Sequence, residues 1–216
     1  MPQFRFIDTI QSIPEPYDLA TAETLRHDWL AAIGEQDTRS GAPARKIAES
    51  ALKTPRARAL LDCIFANSPF LSMSTIRDPA FVCDLLLDGP ENTMNNILTD
   101  IRHKSKGSLN DNDISHLLRI AKRRTAITVA FADIAGAWTL ELVTGALSDF
   151  ADVALDVAAT HLIRQAAGQG AFQLRHTNDP LRDCGLIIIG MGKLGARELN
   201  YSSDIDLIVL YDTDRI

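Results

Sequence analysis

The sequence predicts a mainly α-helical protein. We expect a helical region over residues 1–178, followed over residues 179–216 by the start of an α/β domain whose sheet is incomplete. Two observations predict this class. Apolar residues recur at helical spacing from about residue 17 to about residue 170. Two short apolar runs typical of strands, residues 185–189 and 205–211, follow Asn178-Asp179-Pro180. The change of pattern places the domain boundary.

Three prolines mark helix starts in the first half of the chain. Thr54-Pro55, Ser68-Pro69 and Asp78-Pro79 each place a capping residue before a proline at the first helical position. The side-chain oxygen of the capping residue can accept a hydrogen bond from a free backbone N–H, and proline lacks an N–H that has no helical partner there. The first and third of these short helices carry apolar stripes that we expect to be buried: Leu60, Leu61, Ile64 and Phe65, then Phe81, Val82, Leu85 and Leu86.

Two long helices are predicted after a polar loop. Residues 104–113 are rich in polar and turn-forming residues and indicate the loop. Helices should follow from about 113 to 135 and from about 139 to 167, with Gly136 at the turn between them. A short connection between two long helices is typical of an antiparallel pair.

Composition indicates an ordinary globular protein of 216 residues, with 46% hydrophobic and 23% charged residues. The net charge of −6 weighs against a general nucleic-acid binder. Cys63, Cys83 and Cys184 are widely spaced, so they indicate neither a disulfide framework nor a zinc site. The sequence shows no membrane-spanning apolar run and no signal-peptide layout. We therefore expect a cytoplasmic protein without nucleic-acid or membrane partners.

The sequence GMGKLG carries the strongest chemical signal. Its glycines, Gly190, Gly192 and Gly195, have the spacing G-x-G-x-x-G after a short apolar run. One interpretation is a dinucleotide-binding turn, which would make the chain an NAD-binding Rossmann fragment with Asp212 near the ribose. Against it, only eight residues, 196–203, separate the glycines from the next strand. A parallel crossover usually needs a dozen or more.

The second interpretation is a magnesium site at Asp204 and Asp206. We predict a strand over residues 205–211, and side chains at i and i+2 of a strand leave the same face about 7 Å apart. Two such carboxylates repel each other in a dry site unless a cation joins them. Magnesium prefers one or two carboxylates together with phosphate oxygens. The alternate side chains should anchor the strand in a core: Ile205, Leu207 and Val209.

The glycine turn would supply the phosphate-binding part of this site. Glycines allow backbone N–H groups to approach a phosphate closely, and a helix starting near Lys193 would direct its positive end the same way. Lys193 either contacts phosphate or is a solvated side chain. Ser202 and Ser203 either bind phosphate or cap the strand.

The sequence GMGKLGARELNYSSDIDLIVLYD, residues 190–212, resembles the signature of the glutamine synthetase adenylyltransferase family, also called glutamate–ammonia ligase adenylyltransferase. This family belongs to the DNA polymerase β-like nucleotidyltransferase superfamily. Ala196 replaces a glycine that is usual in the family. Residues 67–81, 117–136 and 147–155 resemble the helices that precede the motif, so the resemblance covers most of the chain.

The resemblance implies a bifunctional regulator of nitrogen assimilation with two nucleotidyltransferase halves. One half attaches AMP from ATP to a tyrosine of glutamine synthetase, and the other removes it by phosphorolysis and releases ADP. A motif that follows one helical region favours the adenylyl-removing half. The implied partners are glutamine synthetase and the PII nitrogen-signalling protein. The implied fold over residues 179–216 is the α/β nucleotidyltransferase palm.

The resemblance also implies roles for individual residues. Asp204 and Asp206 would be the catalytic residues and would hold Mg²⁺. ATP or ADP would be the nucleotide substrate or product. The residues around its phosphates would be Gly190, Gly192, Lys193, Gly195, Ser202 and Ser203.

In this superfamily a third carboxylate comes from a later strand, and the sequence stops at Ile216. We therefore expect this chain to be an incomplete and inactive fragment. The alternative is a non-catalytic helical module that binds glutamine synthetase. The Rossmann fragment is the least favoured interpretation.

A basic cluster lies within the first long helix. It predicts a solvated face, or alternatively a surface behind the nucleotide pocket or against an acidic partner. Its members are Arg119, Lys122, Arg123 and Arg124. Two tryptophans, Trp29 and Trp138, are expected as core anchors.

Overall fold

The computed structural model describes residues 4–10, 12–107 and 109–212. Ser108, within the predicted loop, and residues 213–216, at the end of the predicted second domain, therefore lie outside the described residues.

Helices account for most of the described chain, which confirms the mainly helical part of the predicted class, while the α/β palm over residues 179–216 stays a prediction. In chain order the elements are α1 (Arg5–Asp8), α2 (Leu19–Ile33), α3 (Ala44–Lys53), α4 (Pro55–Asn67), α5 (Pro69–Arg77), α6 (Pro79–Asp88), α7 (Pro90–Lys104), α8 (Asp111–Ile134), α9 (Leu140–Gly168), β1 (Leu186–Gly190), α10 (Gly192–Gly195) and β2 (Leu207–Tyr211).

The chain divides into two compact units. Unit 1 comprises residues 1–96 and 123–143, and unit 2 comprises residues 97–122 and 144–216. These units follow tertiary contacts, whereas the predicted boundary after residue 178 follows a change in sequence pattern and stays a prediction.

Helices α4, α5 and α6 begin at the predicted prolines, but only one predicted cap forms. The Ser68 hydroxyl accepts a hydrogen bond from the Leu71 N–H at 3.3 Å. Thr54 instead donates its hydroxyl to the Ser50 carbonyl at 3.1 Å and does not cap α4. The carboxylate of Asp78 binds arginines and does not cap α6. The caps at positions 54 and 78 were wrong because another partner competes for the side chain.

The core of unit 1 is built from α2, α3, α4 and α6. α2 packs against α4, and α3 packs against both α4 and α6. The indole of Trp29 is fully buried, with its ring centroid 6.4 Å from that of Phe65, which confirms it as a core anchor. Each fully buried large apolar side chain contributes about 1.5–3 kcal/mol. The predicted stripes are all buried: Leu60, Leu61, Ile64, Phe65, Phe81, Val82, Leu85 and Leu86.

A charge cluster within unit 1 corrects the prediction for the basic residues of α8. The Arg124 guanidinium donates to both carboxylate oxygens of Asp78, at 2.7 and 3.0 Å, and Arg123 donates to one of them at 3.3 Å. These two arginines are therefore structural partners of Asp78. The predicted solvated face is wrong for them and correct for Arg119 and Lys122, which are exposed.

In unit 2 the start of α8 lies beside the last part of α9. Nε2 of His161 is 2.7 Å from Oδ1 of Asp111, and Gln165 donates to the same oxygen at 3.1 Å. This contact is the one expected of an antiparallel helix pair. α8 begins two residues earlier than predicted because Asn110 and Asp113 cap it reciprocally, each accepting from the backbone N–H of the other.

Among the described residues, no single helix has both the length and the apolar character needed to cross a membrane. Helices α4 and α5 meet that requirement only when taken together, and the chain bends by 119° between them.

Candidate functional site

The predicted strands form a hairpin. β1 and β2 pair antiparallel, with Ile188 opposite Val209 and Gly190 opposite Leu207, and they form a two-stranded sheet among the described residues. A Rossmann unit needs the two strands that flank its glycine turn to be parallel. The antiparallel pairing therefore contradicts the NAD-binding interpretation.

The two aspartates precede the second strand instead of lying on it. β2 begins at Leu207, whereas the prediction placed its start at residue 205. The Met191 N–H donates to the Asp206 carbonyl at 2.8 Å, so the chain stays bound to the glycine turn just before the strand. Asp204 and Asp206 are both exposed. Solvent and a substrate can therefore reach their carboxylates.

The predicted burial of the other strand face is largely wrong. Ile205 is 38% exposed and Val209 is 54% exposed. Leu207 is the one of the three that packs, against a cluster that includes Ala151 of α9. Alternation along a strand cannot by itself supply the second layer that would bury Ile205 and Val209.

Each glycine of the turn is required by the turn's own geometry. A Cβ on Gly195 would lie 2.5 Å from the Gly190 carbonyl oxygen, and one on Gly190 would lie 2.9 Å from Cγ of Leu194. Gly192 has φ +52°, a left-handed conformation that glycine adopts most easily. The G-x-G-x-x-G spacing thus builds a turn that folds tightly on itself. The predicted place of these glycines around a phosphate stays a prediction.

The predicted helix near Lys193 is a single turn, Gly192–Gly195. Because a helix of one turn aligns only a few peptide dipoles, its dipole contributes little to phosphate binding. Lys193 is exposed beside the turn, where its ammonium group can approach an anion.

The structure brings Asp206 to the glycine turn. A Cβ built on Gly192 would be 3.7 Å from Oδ2 of Asp206, so the carboxylate lies directly against the bare backbone of this residue. Asp204 lies two residues earlier on the same exposed segment. A glycine at position 192 therefore keeps open the space beside one of the two predicted metal ligands.

The two serines belong to the turn that leads into the aspartates. The Ser203 N–H donates to the Asn200 carbonyl at 3.2 Å, and its hydroxyl donates to the Asn200 side chain. Ser202 is exposed and has φ +57°. The contacts of Ser203 are those of a turn residue, and phosphate binding by either serine stays a prediction.

Among the described residues, no group of three or more histidine, cysteine, aspartate or glutamate side chains could hold a metal ion. The predicted site has two carboxylates, at Asp204 and Asp206. Two carboxylates fit magnesium, which usually keeps several waters and takes further oxygens from phosphate. The exposure of both side chains leaves space for those additional oxygens.

Two contacts attach the turn to α9, and neither was predicted from the sequence. Leu194 and Leu199 pack against Ala151. Arg197 forms ion pairs with Asp149 and Asp152 of α9. The spacing of Asp149 and Asp152, three residues apart on one helix face, was the signal in the sequence that could have indicated a common cationic partner.

Fold and site together define a mainly helical protein that carries a hairpin with a glycine turn and an adjacent acidic pair. The family model of glutamate-ammonia ligase adenylyltransferase matches residues 59–216. This chain therefore belongs to the glutamate-ammonia ligase adenylyltransferase family, as the resemblance predicted. No solved structure matches it.

Relatives named bifunctional glutamine synthetase adenylyltransferase/adenylyl-removing enzyme cover most of the chain. The relative from Bartonella henselae is 37% identical over 85% of this chain and 19% of its own length. That from Xanthobacter autotrophicus is 37% identical over 83% of this chain and 18% of its own length. That from Rhodopseudomonas palustris strain CGA009 is 34% identical over 93% of this chain and 20% of its own length. The chain thus spans about a fifth of the length of these relatives.

Proposed function

We propose that this chain provides the metal- and nucleotide-binding turn of an enzyme that removes AMP from a tyrosine of glutamine synthetase. The observation that carries the proposal is the position of the Asp206 carboxylate against the exposed backbone of Gly192, with Asp204 two residues away. The names of the relatives support the substrate, because they combine adenylyl transfer to glutamine synthetase with adenylyl removal.

The reaction would be a phosphorolysis. An oxygen of inorganic phosphate attacks the phosphorus of the adenylylated tyrosine, the bond from this phosphorus to the tyrosine oxygen breaks, and ADP and free tyrosine result. Asp204 and Asp206 would hold Mg²⁺, which when bound supplies positive charge for the transferring phosphoryl group. Lys193, exposed beside the turn, would orient a phosphate oxygen through its ammonium group.

The proposal extends to the setting of the reaction. Residues 179–216 would be the start of an α/β nucleotidyltransferase palm, and ADP or ATP would be the bound nucleotide. Glutamine synthetase and the PII signalling protein would be the partners, in the cytoplasm, as part of the regulation of nitrogen assimilation. The support for this setting is membership of the family.

Isothermal titration of the chain with ADP, with and without Mg²⁺, tests the proposal. We expect binding that requires Mg²⁺ and is lost in the double variant Asp204→Asn/Asp206→Asn, since the amide side chains keep the shape but lose the charge. Asp179→Asn is the matched control, because Asp179 is an exposed acid before β1 that uses only its backbone in hydrogen bonds. Equal binding with and without Mg²⁺, or equal binding by the double variant, would contradict the proposal.

A second candidate function, docking to glutamine synthetase without catalysis, has support from α5. The buried face of this helix is polar, with Ser72 and Thr75 almost fully buried. Its other face exposes Phe70 and Met73, at 62% and 50%. Large apolar side chains side by side on an exposed helix face are typical of an interaction surface.

Binding of glutamine synthetase to immobilised chain separates the two functions. The docking function predicts that Phe70→Ser/Met73→Ser loses this binding while Asp204→Asn/Asp206→Asn keeps it. Retained docking in a chain that shows no nucleotide binding would favour the second function. If Phe70→Ser/Met73→Ser keeps both the binding of glutamine synthetase and the binding of nucleotide, α5 no longer supports the docking function.

A further inference from the structure

Arg197 joins the glycine turn to helix α9. We propose that it is a positioning residue: its ion pairs with Asp149 and Asp152 hold the turn, and through the turn the Asp206 carboxylate, in the place where a nucleotide phosphate and its metal ion would bind. The nucleotide part of this inference rests on the proposed function. The positioning part is measurable without any nucleotide.

The first step is the contact with α9. Nη1 of Arg197 donates to Oδ2 of Asp152 at 3.1 Å, and Nη2 donates to Oδ1 of Asp149. The two aspartates are three residues apart, so they lie on the same helix face with the guanidinium group between them. Hydrogen bonds from the guanidinium group to two carboxylates fix its orientation on α9. The apolar contacts of Leu194 and Leu199 with α9 are non-directional and do not fix an orientation.

The second step is the backbone of Arg197, which has φ +59°. It lies just after α10, where its N–H donates to the Leu194 carbonyl at 3.0 Å and the Glu198 N–H donates to the Lys193 carbonyl at 2.7 Å. These two bonds form a Schellman ending, in which glycine is the usual residue at the left-handed position. An arginine is strained there because its Cβ approaches the carbonyl oxygen. Its side-chain contacts with α9 therefore explain why an arginine, and not a glycine, suits this position.

The third step leads from α10 to the acidic pair. Met191, directly before α10, donates its N–H to the Asp206 carbonyl at 2.8 Å. The next residue, Gly192, lies against the Asp206 carboxylate. A displacement of α10 on α9 would thus move both the backbone and the side chain of Asp206 relative to their present positions.

Amide hydrogen exchange measured by NMR tests the positioning part. In Arg197→Gly the backbone strain is relieved and the ion pairs are lost. We expect a thermal midpoint that is unchanged or raised, together with faster exchange of the Met191 and Gly195 amides. Two exposed ion pairs correspond to an acceleration of about threefold to tenfold. A residue with a merely structural role would instead lower the midpoint and accelerate exchange throughout unit 2.

Further variants define the mechanism of this effect. Asp149→Asn/Asp152→Asn should reproduce the local acceleration, and Arg197→Gly added to it should cause no further acceleration, because all three residues act through one contact. Arg197→Lys should restore part of the protection, since it keeps the charge and loses the fork. Arg182→Gly is the control, because Arg182 is an exposed arginine whose ion pair is to its neighbour Asp183.

Titration with Mg²⁺ and ADP tests the nucleotide part. The variants Arg197→Gly and Asp149→Asn/Asp152→Asn should weaken binding by similar factors, within the same threefold to tenfold range. Weakening in Arg197→Gly alone would show that the arginine contacts the nucleotide itself, which overturns the positioning role. Unchanged exchange in Arg197→Gly would also overturn it. If the unsubstituted chain fails to bind ADP, the proposed function fails, while the exchange measurement still decides the role of Arg197.

Discussion

Helix α4 and the hairpin β1–β2 are both rich in aliphatic residues, but they differ sharply in burial. Leu60 and Leu61 of α4 are fully buried, whereas Ile187 of β1 is 55% exposed and Leu210 of β2 is 49% exposed. Helix α4 lies among α2, α3 and α5. In the described hairpin, Leu207 packs on α9 while most of the other aliphatic side chains remain exposed. The difference shows that apolar composition leads to burial only where a second layer packs against the element.

Charge pairs show the same contrast. The carboxylate of Asp78 in unit 1 is 13% exposed and is bound by two arginines that are themselves partly buried. The carboxylates of Asp149 and Asp152 in unit 2 are about half exposed, as is Arg197. Removal of one partner from an ion pair that is shielded from water leaves an uncompensated charge and costs much stability. Removal of one partner from a solvated pair costs little, because the remaining charge is hydrated.

The largest expected effect comes from matched leucines in the two regions. Leu85→Ala, at a fully buried site in α6, should lower the free energy of unfolding by about 2–5 kcal/mol because it leaves a cavity. Leu210→Ala, on the exposed hairpin, should change it by less than about 1 kcal/mol. Urea unfolding followed by circular dichroism measures both. Equal losses would show that the hairpin is packed as tightly as the helical core.

Matched aspartates provide the second comparison. Asp78→Ala should cost about 2–3 kcal/mol, since Arg123 and Arg124 would lose their partner while remaining partly solvated. Asp149→Ala should cost at most about 1 kcal/mol, and this cost should shrink as salt is added. The same unfolding experiment, at low and high salt, checks both values. A larger loss for Asp149→Ala would reverse the contrast between the buried and solvated pairs.

The third comparison is between two glycines of unit 2. Gly195→Ala places a Cβ 2.5 Å from the Gly190 carbonyl oxygen and should destabilise the turn by about 1–2 kcal/mol. Gly145→Ala, inside α9 with nothing within 4 Å of the new Cβ, should stabilise the helix by about 0.5–1 kcal/mol. NMR spectra would report the loss of β1–β2 pairing in the first variant. Intact pairing with unchanged stability in Gly195→Ala would show that the close approach of residues 190 and 195 is dispensable.

The smallest effect concerns pH and Asp84 of unit 1. Burial raises the pKa of this carboxyl above its ordinary 3.8, although a hydrogen bond from the Arg39 N–H opposes the shift. The folded state therefore binds the proton more tightly than the unfolded state, and ionisation of Asp84 costs stability as the pH rises through the raised pKa. Asp84→Asn keeps the acceptor and removes this cost. The free energy of unfolding of Asp84→Asn, relative to that of the unsubstituted chain, should therefore rise from acidic to neutral pH, as measured by parallel urea titrations. A difference that is constant with pH would contradict the raised pKa of Asp84.

Much of the helical framework was predictable from short-range signals. The prolines at positions 55, 69 and 79 begin helices as predicted, because the missing N–H and the fixed φ of proline act within one turn of the chain. Of the two caps that were wrong, Thr54 has a local reason, because its hydroxyl binds the Ser50 carbonyl four residues earlier, and Asp78 has a tertiary one. The partners of Asp78 lie on α8, 45 and 46 residues away, and no local pattern indicates them.

The candidate site was predictable in its parts but not in its arrangement. The spacing of Gly190, Gly192 and Gly195 predicted a phosphate-binding glycine turn, and the structure shows the turn and a geometric reason for each glycine within it. Phosphate binding there stays a prediction. Asp204 and Asp206 were identified by their chemistry, while their place before β2 depends on which residues pair with β1. The role of Arg197 needed coordinates, because its partners lie 45 and 48 residues earlier in the chain.

Residue types within a few positions of one another predicted the helical class, the helix starts at positions 55, 69 and 79, and the acidic pair. The resemblance along most of the chain predicted the family. Coordinates were needed to show that the strands are antiparallel, that most of the hairpin's aliphatic side chains stay exposed, and that Asp206 lies against Gly192. Strand pairing, burial and ion pairing join segments far apart in the chain. Their free energies depend on which surfaces meet, and a local pattern does not contain that information.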